Sequence, residues 1–373
     1  MTAEAIDFAA GWAALEAEVA GESTLGVARV WSRDGTAAPP SNYKHYRPFV
    51  SAVDKYVEEA QETNRIYLGV EDFDRQMRGI GRKHLLLLNG FAHSGKTLFG
   101  LHILRHNRTK RVAWFTQDES AEQVLANLAS MQTGVAAEEL ERRIQQDDRE
   151  ALDLLRRVAS EEFPNLAVFE EPMTPGYIYE ALEEAADAWG ERHDLVVIDF
   201  VRLLRVGEDM NAKFEFVKSL SKTHGPVIAL NQTSRSAGAD GRKLTISSGE
   251  YGGETYASFV LGVRRKVYEC MALRDELELK AKGIGKAAAD AQERLPAVRQ
   301  DIARHEHTVT VNAVKVKRVG GRLVDEIDFD LDHRSGILTP LGETDLPRAY
   351  AASVSRGFTQ RKPIYEQDEF EEF

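Results

Sequence analysis

An eight-residue stretch, GFAHSGKT, combines the residue types that bind phosphate groups in proteins. It matches G-x-x-x-x-G-K-[ST] at every fixed position, with an apolar run before it and an apolar run at helical spacing after it. Backbone N–H groups of such a turn surround phosphate oxygens, and the helix N-terminus adds partial positive charge. The lysine holds the β- and γ-phosphates, and the threonine hydroxyl binds Mg²⁺. The candidate nucleotide-binding residues are therefore Gly90, Phe91, Ala92, His93, Ser94, Gly95, Lys96 and Thr97.

A second apolar run supplies a carboxylate for the metal. In LVVIDFVRLLR, Asp199 follows four apolar residues and ends a predicted buried strand. A lone aspartate at a strand end is usually a turn former. Beside a phosphate-binding turn, however, it can hold the hydration shell of Mg²⁺. We therefore expect Thr97 and Asp199 to be the metal-site residues.

Two further strand ends carry polar side chains that suit nucleotide hydrolysis. In VAWFTQDESAEQ, Asp118 and Glu119 stand just past the strand, and either can orient the attacking water. The same Asp-Glu-Ser run is also a common N-terminal capping sequence of a helix. In PVIALNQTSR, Asn231 and Gln232 follow a buried strand, where an amide can contact the γ-phosphate or simply form a turn.

Alternation of short apolar runs with helical segments predicts the sheet that positions these residues. The strand candidates are residues 84–89, 111–116, 166–169, 195–200, 226–230 and 259–263, and the intervening helix candidates include 121–131, 150–159 and 177–189. This rhythm is typical of a parallel sheet covered by helices on both faces. Beyond it, TVTVNAVKVKR and RLVDEIDFDL alternate apolar and polar residues, which predicts an antiparallel hairpin.

The remaining segments predict attachments to this α/β core. Residues 1–65 form an N-terminal appendage with helix candidates at 3–19 and 49–63 and a Pro- and Gly-containing linker. Residues 66–345 form the core, into which 266–307 insert a charged helical hairpin, either a solvated arm or a docking site. Residues 346–373 form an acidic tail that we expect to be disordered, and it either solubilises the chain, mimics DNA or binds a basic partner.

Composition limits the class of protein. The 373 residues carry a net charge of -12, yet RSAGADGRK and AVKVKRVGGR are locally basic, so the charge does not exclude DNA. The single cysteine excludes an intrachain disulfide. No apolar run is long enough to cross a bilayer and no export signal precedes the core, so we expect an intracellular, cytoplasmic protein without a membrane partner.

With these pieces in order, the sequence resembles the RecA-like P-loop ATPases and, among them, the DnaB-type replicative hexameric helicases. LGVEDFDRQMRGIGRKHLLLLNG resembles the family's lead-in, WFTQDESAEQVLANLAS its catalytic-glutamate strand, and VVIDFVRLL and KSLSKTHGPVIALNQTSR its metal and sensor segments. The resemblance implies ATP and Mg²⁺ as cofactors, single-stranded DNA as a partner and a hexameric ring. It aligns the catalytic glutamate with Asp118 and assigns Gln232 to the sensor. VKVKRVGG is similar to the arginine-finger hairpin, which implies that Arg318 acts on a neighbour's nucleotide.

Departures from the family pattern leave three functions open. The chain has a short N-terminal region, a long helical insertion and lysines at 315 and 317, which suggest a short, divergent, phage-like member acting in the bacterial host cytoplasm. The first function is an ATP-driven DNA motor in replication or recombination. The second is a RecA-type recombinase that forms filaments. The third is a helicase-like loader or scaffold that binds a replication or recombination protein through the insertion or the acidic tail.

DNA contact is expected from loops that follow two of the core strands. These loops cover residues 205–213 and 234–243, and Arg235, Arg242 and Lys243 supply positive charge in the second one. Neither loop offers an aromatic stacking platform. Contact with backbone phosphates would give weak sequence preference and strong salt dependence. The alternative is an ordinary surface loop.

Overall fold

The computed structural model describes residues 49–233, 243, 245, 253–317 and 326–342. The chain divides into two compact units, Met1–Glu58 and Glu59–Phe373. In the first unit the described part is a 3-10 turn, Phe49–Ser51, and most of the helix that follows it. The sheet and the phosphate-binding turn belong to the second unit.

Among the described residues, nine strands form one sheet. The first, second, fourth, fifth and sixth strands are short apolar runs that are almost wholly buried, as expected for strands with helices on both sides. The strands are β1 Leu85–Gly90, β2 Val112–Thr116, β3 Leu166–Phe169, β4 Leu195–Asp199, β5 Val227–Gln232, β6 Phe259–Arg264, β7 Thr308–Val316, β8 Glu326–Leu331 and β9 Leu338–Pro340.

Several helices begin at residues whose side chains cap them. The side-chain oxygens of Ser120, Thr174 and Asp209 each accept a hydrogen bond from the backbone N–H three residues later. Such caps contribute about 1 kcal/mol each. The α-helices of the described residues are α1 Ala52–Ala60, α2 Glu71–Met77, α3 Lys96–His106, α4 Ala121–Thr133, α5 Ala137–Gln145, α6 Arg149–Arg157, α7 Pro175–Trp189, α8 Met210–Thr223, α9 Gly253–Tyr256, α10 Lys266–Ala281 and α11 Lys286–His305.

The sheet order is β3-β2-β4-β5-β1-β6-β7-β8-β9. Neighbouring strands from β3 to β6 are parallel, and those from β6 to β9 are antiparallel. The carboxyl ends of β1, β2, β4 and β5 therefore lie along one edge, where open α/β sheets bind their ligands. The predicted architecture, a mainly parallel sheet with helices, antiparallel C-terminal strands and a helical insertion, is confirmed.

Alternate residues of β1 pack into two different apolar clusters, one on each face of the sheet. Leu86 and Leu88 join a cluster with Trp114, whereas Leu85 and Leu87 join a cluster with the opposite set of helices. All four leucines are fully buried. Burial of one leucine side chain contributes about 1.5–3 kcal/mol. The strand that leads into the phosphate-binding turn is thus fixed from both sides.

The helical insertion stands between β6 and β7. Helices α10 and α11 form a hairpin with a small apolar interface of its own, built around Leu277, Ala291 and Val298. Leu279 and Ile284, near the turn between the two helices, are exposed. The insertion therefore has its own internal packing in addition to its attachment to the sheet.

The structure differs from the sequence-based bounds in a few places. The helix expected over 150–159 ends as an α-helix at Arg157 and continues as a π-helical turn over Val158–Glu162. The helix expected over 49–63 is divided into α1 and two short 3-10 turns. Helix α5 was not predicted. The helix candidate at 3–19 and the acidic tail lie outside the described residues. In the described parts of the chain, no helix has the length and apolar character needed to span a membrane.

Candidate functional site

The turn between β1 and α3 has the backbone conformation of a phosphate cradle. Gly90 ends β1, and a Cβ at this position would stand 2.4 Å from the Ser94 Oγ and 2.5 Å from the Val263 carbonyl oxygen. Only glycine fits so close an approach. His93 and Gly95 have positive φ angles of 57° and 92°, which turn the chain into the start of α3. Backbone N–H groups at the N-terminus of α3 are therefore available for an anion.

Lys96 is the first residue of α3, and its side chain is buried within the turn. Its Nζ donates a hydrogen bond to the Phe91 carbonyl oxygen at 2.6 Å. Burial lowers the pKa of Lys96 to about 8, while the nearby Asp199 and Asp118 carboxylates oppose this shift. The ammonium is thus enclosed by the same turn that would surround a phosphate.

Asp199 ends β4 and is 1% exposed. Burial raises its pKa to about 7, Glu119 and Asp118 add to the shift, and Lys96 and the hydrogen bond from Thr97 oppose it. Its Oδ1 has no hydrogen-bond partner among the described residues. A buried carboxylate oxygen without a partner, next to a hydroxyl, fits the oxygen ligands that Mg²⁺ prefers. Thr97 and Asp199 are therefore suited to hold this ion.

Asp118 and Glu119 follow β2, and one side chain fixes the backbone of both. The Thr116 Oγ1 accepts hydrogen bonds from their N–H groups at 3.3 and 3.2 Å. Asp118 is exposed, whereas Glu119 is half-buried and accepts a hydrogen bond on Oε2 from the Asn127 amide at 3.4 Å. Burial raises the pKa of Glu119, and the charge of Asp118 adds to this. Both carboxylates lie within electrostatic range of Asp199.

The capping interpretation of this segment also has a structural counterpart. Ser120, not Asp118 or Glu119, caps α4, with its Oγ accepting from the Gln123 N–H at 3.3 Å. The Glu170 side chain accepts a hydrogen bond from the backbone N–H of Ala121, the first residue of α4. Since other residues satisfy the start of the helix, neither carboxylate at 118 or 119 is needed there.

The end of β5 brings a buried amide pair to the same edge of the sheet. The Asn231 amide donates to the Asn89 Oδ1 at 3.2 Å, and the Asn89 amide donates to the Glu254 carboxylate at 3.5 Å. Gln232 pairs in register with Gly90. This register brings the predicted sensor beside the phosphate-binding turn.

Sequence analysis did not identify Asn89, Glu254, Thr116 and Asn127 as members of the site. The signal for Asn89 was present, because it interrupts the apolar run LLLLNG just before the turn. Glu254 is 165 positions away from Asn89, and its contact depends on tertiary packing. Asn127 is a polar residue within a helix, a position at which sequence alone does not separate a contact from solvent exposure.

Of the predicted DNA-binding residues, Lys243 is described, and Arg235 and Arg242 lie outside the described residues. The Lys243 Nζ lies 4.0 Å from the Glu326 carboxylate on β8. Glu326 also accepts from Arg264 on β6 and Lys266 on α10, each at 2.8 Å. Lys243 is therefore close to an ion-pair cluster at the base of the insertion. The first candidate loop, 205–213, is shorter than predicted, because residues 210–213 already belong to α8. Lys213 in that helix donates from Nζ to the Arg202 carbonyl oxygen at 2.6 Å.

Arg318, the predicted finger, also lies outside the described residues. The preceding residue, Lys317, donates its N–H to the Ser258 carbonyl oxygen at 3.0 Å, and the Ser258 N–H donates to the Leu85 carbonyl oxygen at 2.9 Å. Leu85 is the first residue of β1, and the phosphate-binding turn follows its last residue. Lys317 is therefore at the sheet edge opposite the nucleotide site.

Comparison with known proteins relates this geometry to a family. The model of the DnaB-like helicase C-terminal domain matches residues 66–248. A DnaB-like replicative helicase, whose structure was solved together with its interactions with primase, is similar at a TM-score of 0.59 and 17% identity over 79% of this chain and 68% of that chain. The ATPase domain of G40P is similar at a TM-score of 0.57 and 17% identity over 79% of this chain and 98% of that chain. No curated protein matches the sequence.

At 17% identity the two structures support the RecA-like fold. The family match is one continuous range that begins at the first residue of the predicted core. It favours the helicase over the recombinase and loader alternatives. The chain therefore carries a DnaB-like helicase C-terminal domain over residues 66–248, and the prediction of an ATP-hydrolysing helicase of the DnaB type is confirmed.

Proposed function

We propose that the chain is a Mg²⁺-ATP-driven motor that moves along single-stranded DNA as a homo-oligomeric, hexameric ring. The observation that carries this proposal is that Lys96 and Asp199 are both buried at the carboxyl edge of the sheet, close enough to interact electrostatically. A triphosphate and its metal ion require a cationic side chain and a carboxylate at one such edge. Asp118 and Glu119 stand within electrostatic range of the same point.

Each residue of the site has a distinct role in the proposed hydrolysis. The turn from Gly90 to Thr97 surrounds the phosphates with N–H groups, and Lys96 neutralises the β- and γ-phosphates. Thr97 and Asp199 hold Mg²⁺, which would polarise the γ-phosphate when bound. A carboxylate of the 118–119 pair orients the attacking water. Gln232 contacts the γ-phosphate and transmits its loss to the loop that follows β5.

Arg318 is proposed to complete the site of a neighbouring copy. The geometry of Lys317 supports this, because the length of β1 separates it from the turn: five steps from Leu85 to Gly90, roughly 17 Å at about 3.3 Å per step. This distance from the chain's own nucleotide turn supports an action of Arg318 on a neighbour's nucleotide. The guanidinium then stabilises charge that develops during phosphoryl transfer.

The DNA contacts are proposed for the loops at 205–213 and 234–243, with Arg235, Arg242 and Lys243 as phosphate ligands. The second loop follows Gln232 directly, so loss of the γ-phosphate can reach it through a short stretch of backbone. A protein partner in replication or recombination is proposed for the insertion or the acidic tail. The exposed apolar side chains of Leu279 and Ile284 support the insertion as the site that binds this partner.

The test is unwinding of a forked DNA duplex by the purified full chain with ATP and Mg²⁺, measured together with ATP hydrolysis in the presence and absence of single-stranded DNA. We expect DNA-stimulated hydrolysis and strand separation, both lost in Lys96→Ala. Electron microscopy of the same mixture should show closed rings. Hydrolysis without unwinding, together with filaments on DNA, would support the recombinase instead. Absence of hydrolysis in the folded wild type would contradict the motor.

A further inference from the structure

Both polar atoms of the Asn127 side-chain amide, on α4, form hydrogen bonds. Its Oδ1 accepts a hydrogen bond from the Gln123 side chain at 3.3 Å, and its Nδ2 donates to the Glu119 Oε2 at 3.4 Å. Because the amide oxygen faces Gln123, the NH₂ group faces the carboxylate. The two α4 residues are one helical turn apart, and the helix is capped by Ser120. The amide is therefore fixed relative to the end of β2.

The two neighbouring carboxylates have different surroundings. Asp118 is exposed and interacts electrostatically with Lys96. Glu119 is half-buried, and its charge raises the pKa of Asp199 more than the charge of Asp118 does. Their backbone N–H groups share one acceptor, the Thr116 hydroxyl, so the difference lies in the side chains. The amide of Asn127 contacts only the second carboxylate among the hydrogen bonds of the described residues.

We propose that Asn127 is a positioning residue that holds Glu119 within electrostatic range of Asp199, where Glu119 supports the hydration shell of the divalent cation, which leaves the orientation of the attacking water to Asp118, as the family resemblance implies. Without a donor, Glu119 would be repelled by both Asp118 and Asp199 and would turn towards solvent. The amide offsets that repulsion without adding a charge. Side chains that orient the ligands around a metal ion in this way typically change its affinity by about 10- to 100-fold when removed.

This inference rests on the proposed nucleotide chemistry, and its test separates metal binding from catalysis. The first measurement is binding of a fluorescent, non-hydrolysable ATP analogue to the full chain during a Mg²⁺ titration. The second is kcat at saturating Mg²⁺ and ATP. We expect Asn127→Leu and Glu119→Gln each to raise the half-saturating Mg²⁺ concentration about tenfold. The double variant should show no further increase, because both changes remove one interaction.

Asp118→Asn should behave in the opposite way. Its half-saturating Mg²⁺ concentration should stay close to that of the wild type, while kcat falls on the order of 10²-fold or more. An unchanged Mg²⁺ titration in Asn127→Leu, or additive shifts in the double variant, would overturn the positioning role. A larger loss of kcat in Glu119→Gln than in Asp118→Asn would overturn the assignment of the water-orienting carboxylate.

Gln132→Leu is the matched control. Gln132 is on the same helix and its amide donates to Glu162 at 3.0 Å, away from the site, so its Mg²⁺ titration should not change. Asn127→Ser provides a second variant if the leucine disturbs α4, and thermal melts confirm that each variant is folded. Wild type and Lys96→Ala are measured in parallel. If the wild type hydrolyses ATP and Lys96→Ala does not, the proposed function is upheld even where the Asn127 variants contradict the positioning role.

Discussion

The Lys96 ammonium donates to the carbonyl oxygen of Phe91, 2.6 Å away in the same turn. Both residues are buried, and burial lowers the pKa of the lysine to about 8. The Lys96 side chain therefore folds back onto the turn between β1 and α3. A bound triphosphate offers this ammonium several charged oxygens in place of one carbonyl, and charge-assisted hydrogen bonds are roughly twice as strong as neutral ones. We therefore expect Lys96 to matter for the ligand more than for the core.

Lys96→Ala should abolish ATP hydrolysis while the fold survives. Loss of a single charge-stabilising donor costs about 10²- to 10³-fold in kcat, and here the same change also weakens phosphate binding. Steady-state hydrolysis and a thermal melt provide the measurements. Lys110→Ala is the control, since Lys110 also donates to a backbone carbonyl, that of Thr63, outside the site. Normal turnover by folded Lys96→Ala would refute the phosphate-binding turn.

Replacing Arg235, Arg242 and Lys243 by alanine should weaken single-strand binding and flatten its dependence on salt. Each lost phosphate contact reduces the slope of log K against log salt by about 0.7 on single strands. Binding of a labelled oligonucleotide at several salt concentrations measures the slope. Alanine at Lys280, Lys282 and Lys286, exposed around the turn of the insertion, removes equal charge elsewhere. A slope that falls only in this control set would move the DNA site to the insertion.

Arg318→Ala should lose hydrolysis on the order of 10³-fold or more, with little change in nucleotide binding. A mixture with Lys96→Ala should recover part of the activity, because an intact Arg318 then meets a neighbour's intact turn. Hydrolysis by defined mixtures of the two variants is the readout. Arg299→Ala is the control, because Arg299 pairs with Glu278 at 3.1 Å on the insertion. Mixed oligomers that form without recovering activity would exclude action on a neighbour.

Acid should destabilise the fold partly through His193. Burial lowers the pKa of this side chain to about 4, and the neighbouring His224 adds to the effect. The unfolded chain then binds one more proton than the folded chain between about pH 4 and 6.5, so stability falls as pH falls through this window. Between pH 6.5 and 5, the free energy of unfolding should fall by up to about 2 kcal/mol less in His193→Phe than in the wild type. Urea unfolding at the two pH values measures it; equal losses in both proteins would contradict the prediction.

The parts of the fold that were predicted from sequence depend on local patterns. LLLLNG before the turn and LVVID, which ends at Asp199, are short apolar runs typical of buried parallel strands. The turn itself was predicted because its glycines and lysine must stand at fixed spacing. Helix ends were less accurate, as at Arg157, where the chain continues as a π-helical turn that sequence periodicity does not distinguish from an α-helix.

The contacts that hold the site residues in place could not be predicted. The hydrogen bond from Asn127 to Glu119 depends on how α4 packs beside the end of β2. The hydrogen bond from Asn89 to Glu254 joins residues that are 165 positions apart in the sequence. Such contacts depend on how elements pack, which the periodicity of one segment does not contain. The roles of Asp118, Glu119, Gln232 and Arg318 stay predictions, since they depend on a nucleotide and a neighbouring copy.

The reversal of strand direction from β6 to β7 would determine how many working sites an assembly contains if Arg318 acts on a neighbour as proposed. The nucleotide turn follows the end of β1, whereas β7 carries the chain to Lys317 beside the start of β1. With Arg318 completing a neighbour's site, a lone copy has no complete site, and an open row always has one site fewer than it has copies. Only closure makes the two numbers equal. The turnover per copy should therefore rise gradually with concentration for an open row, and abruptly at the concentration at which rings close.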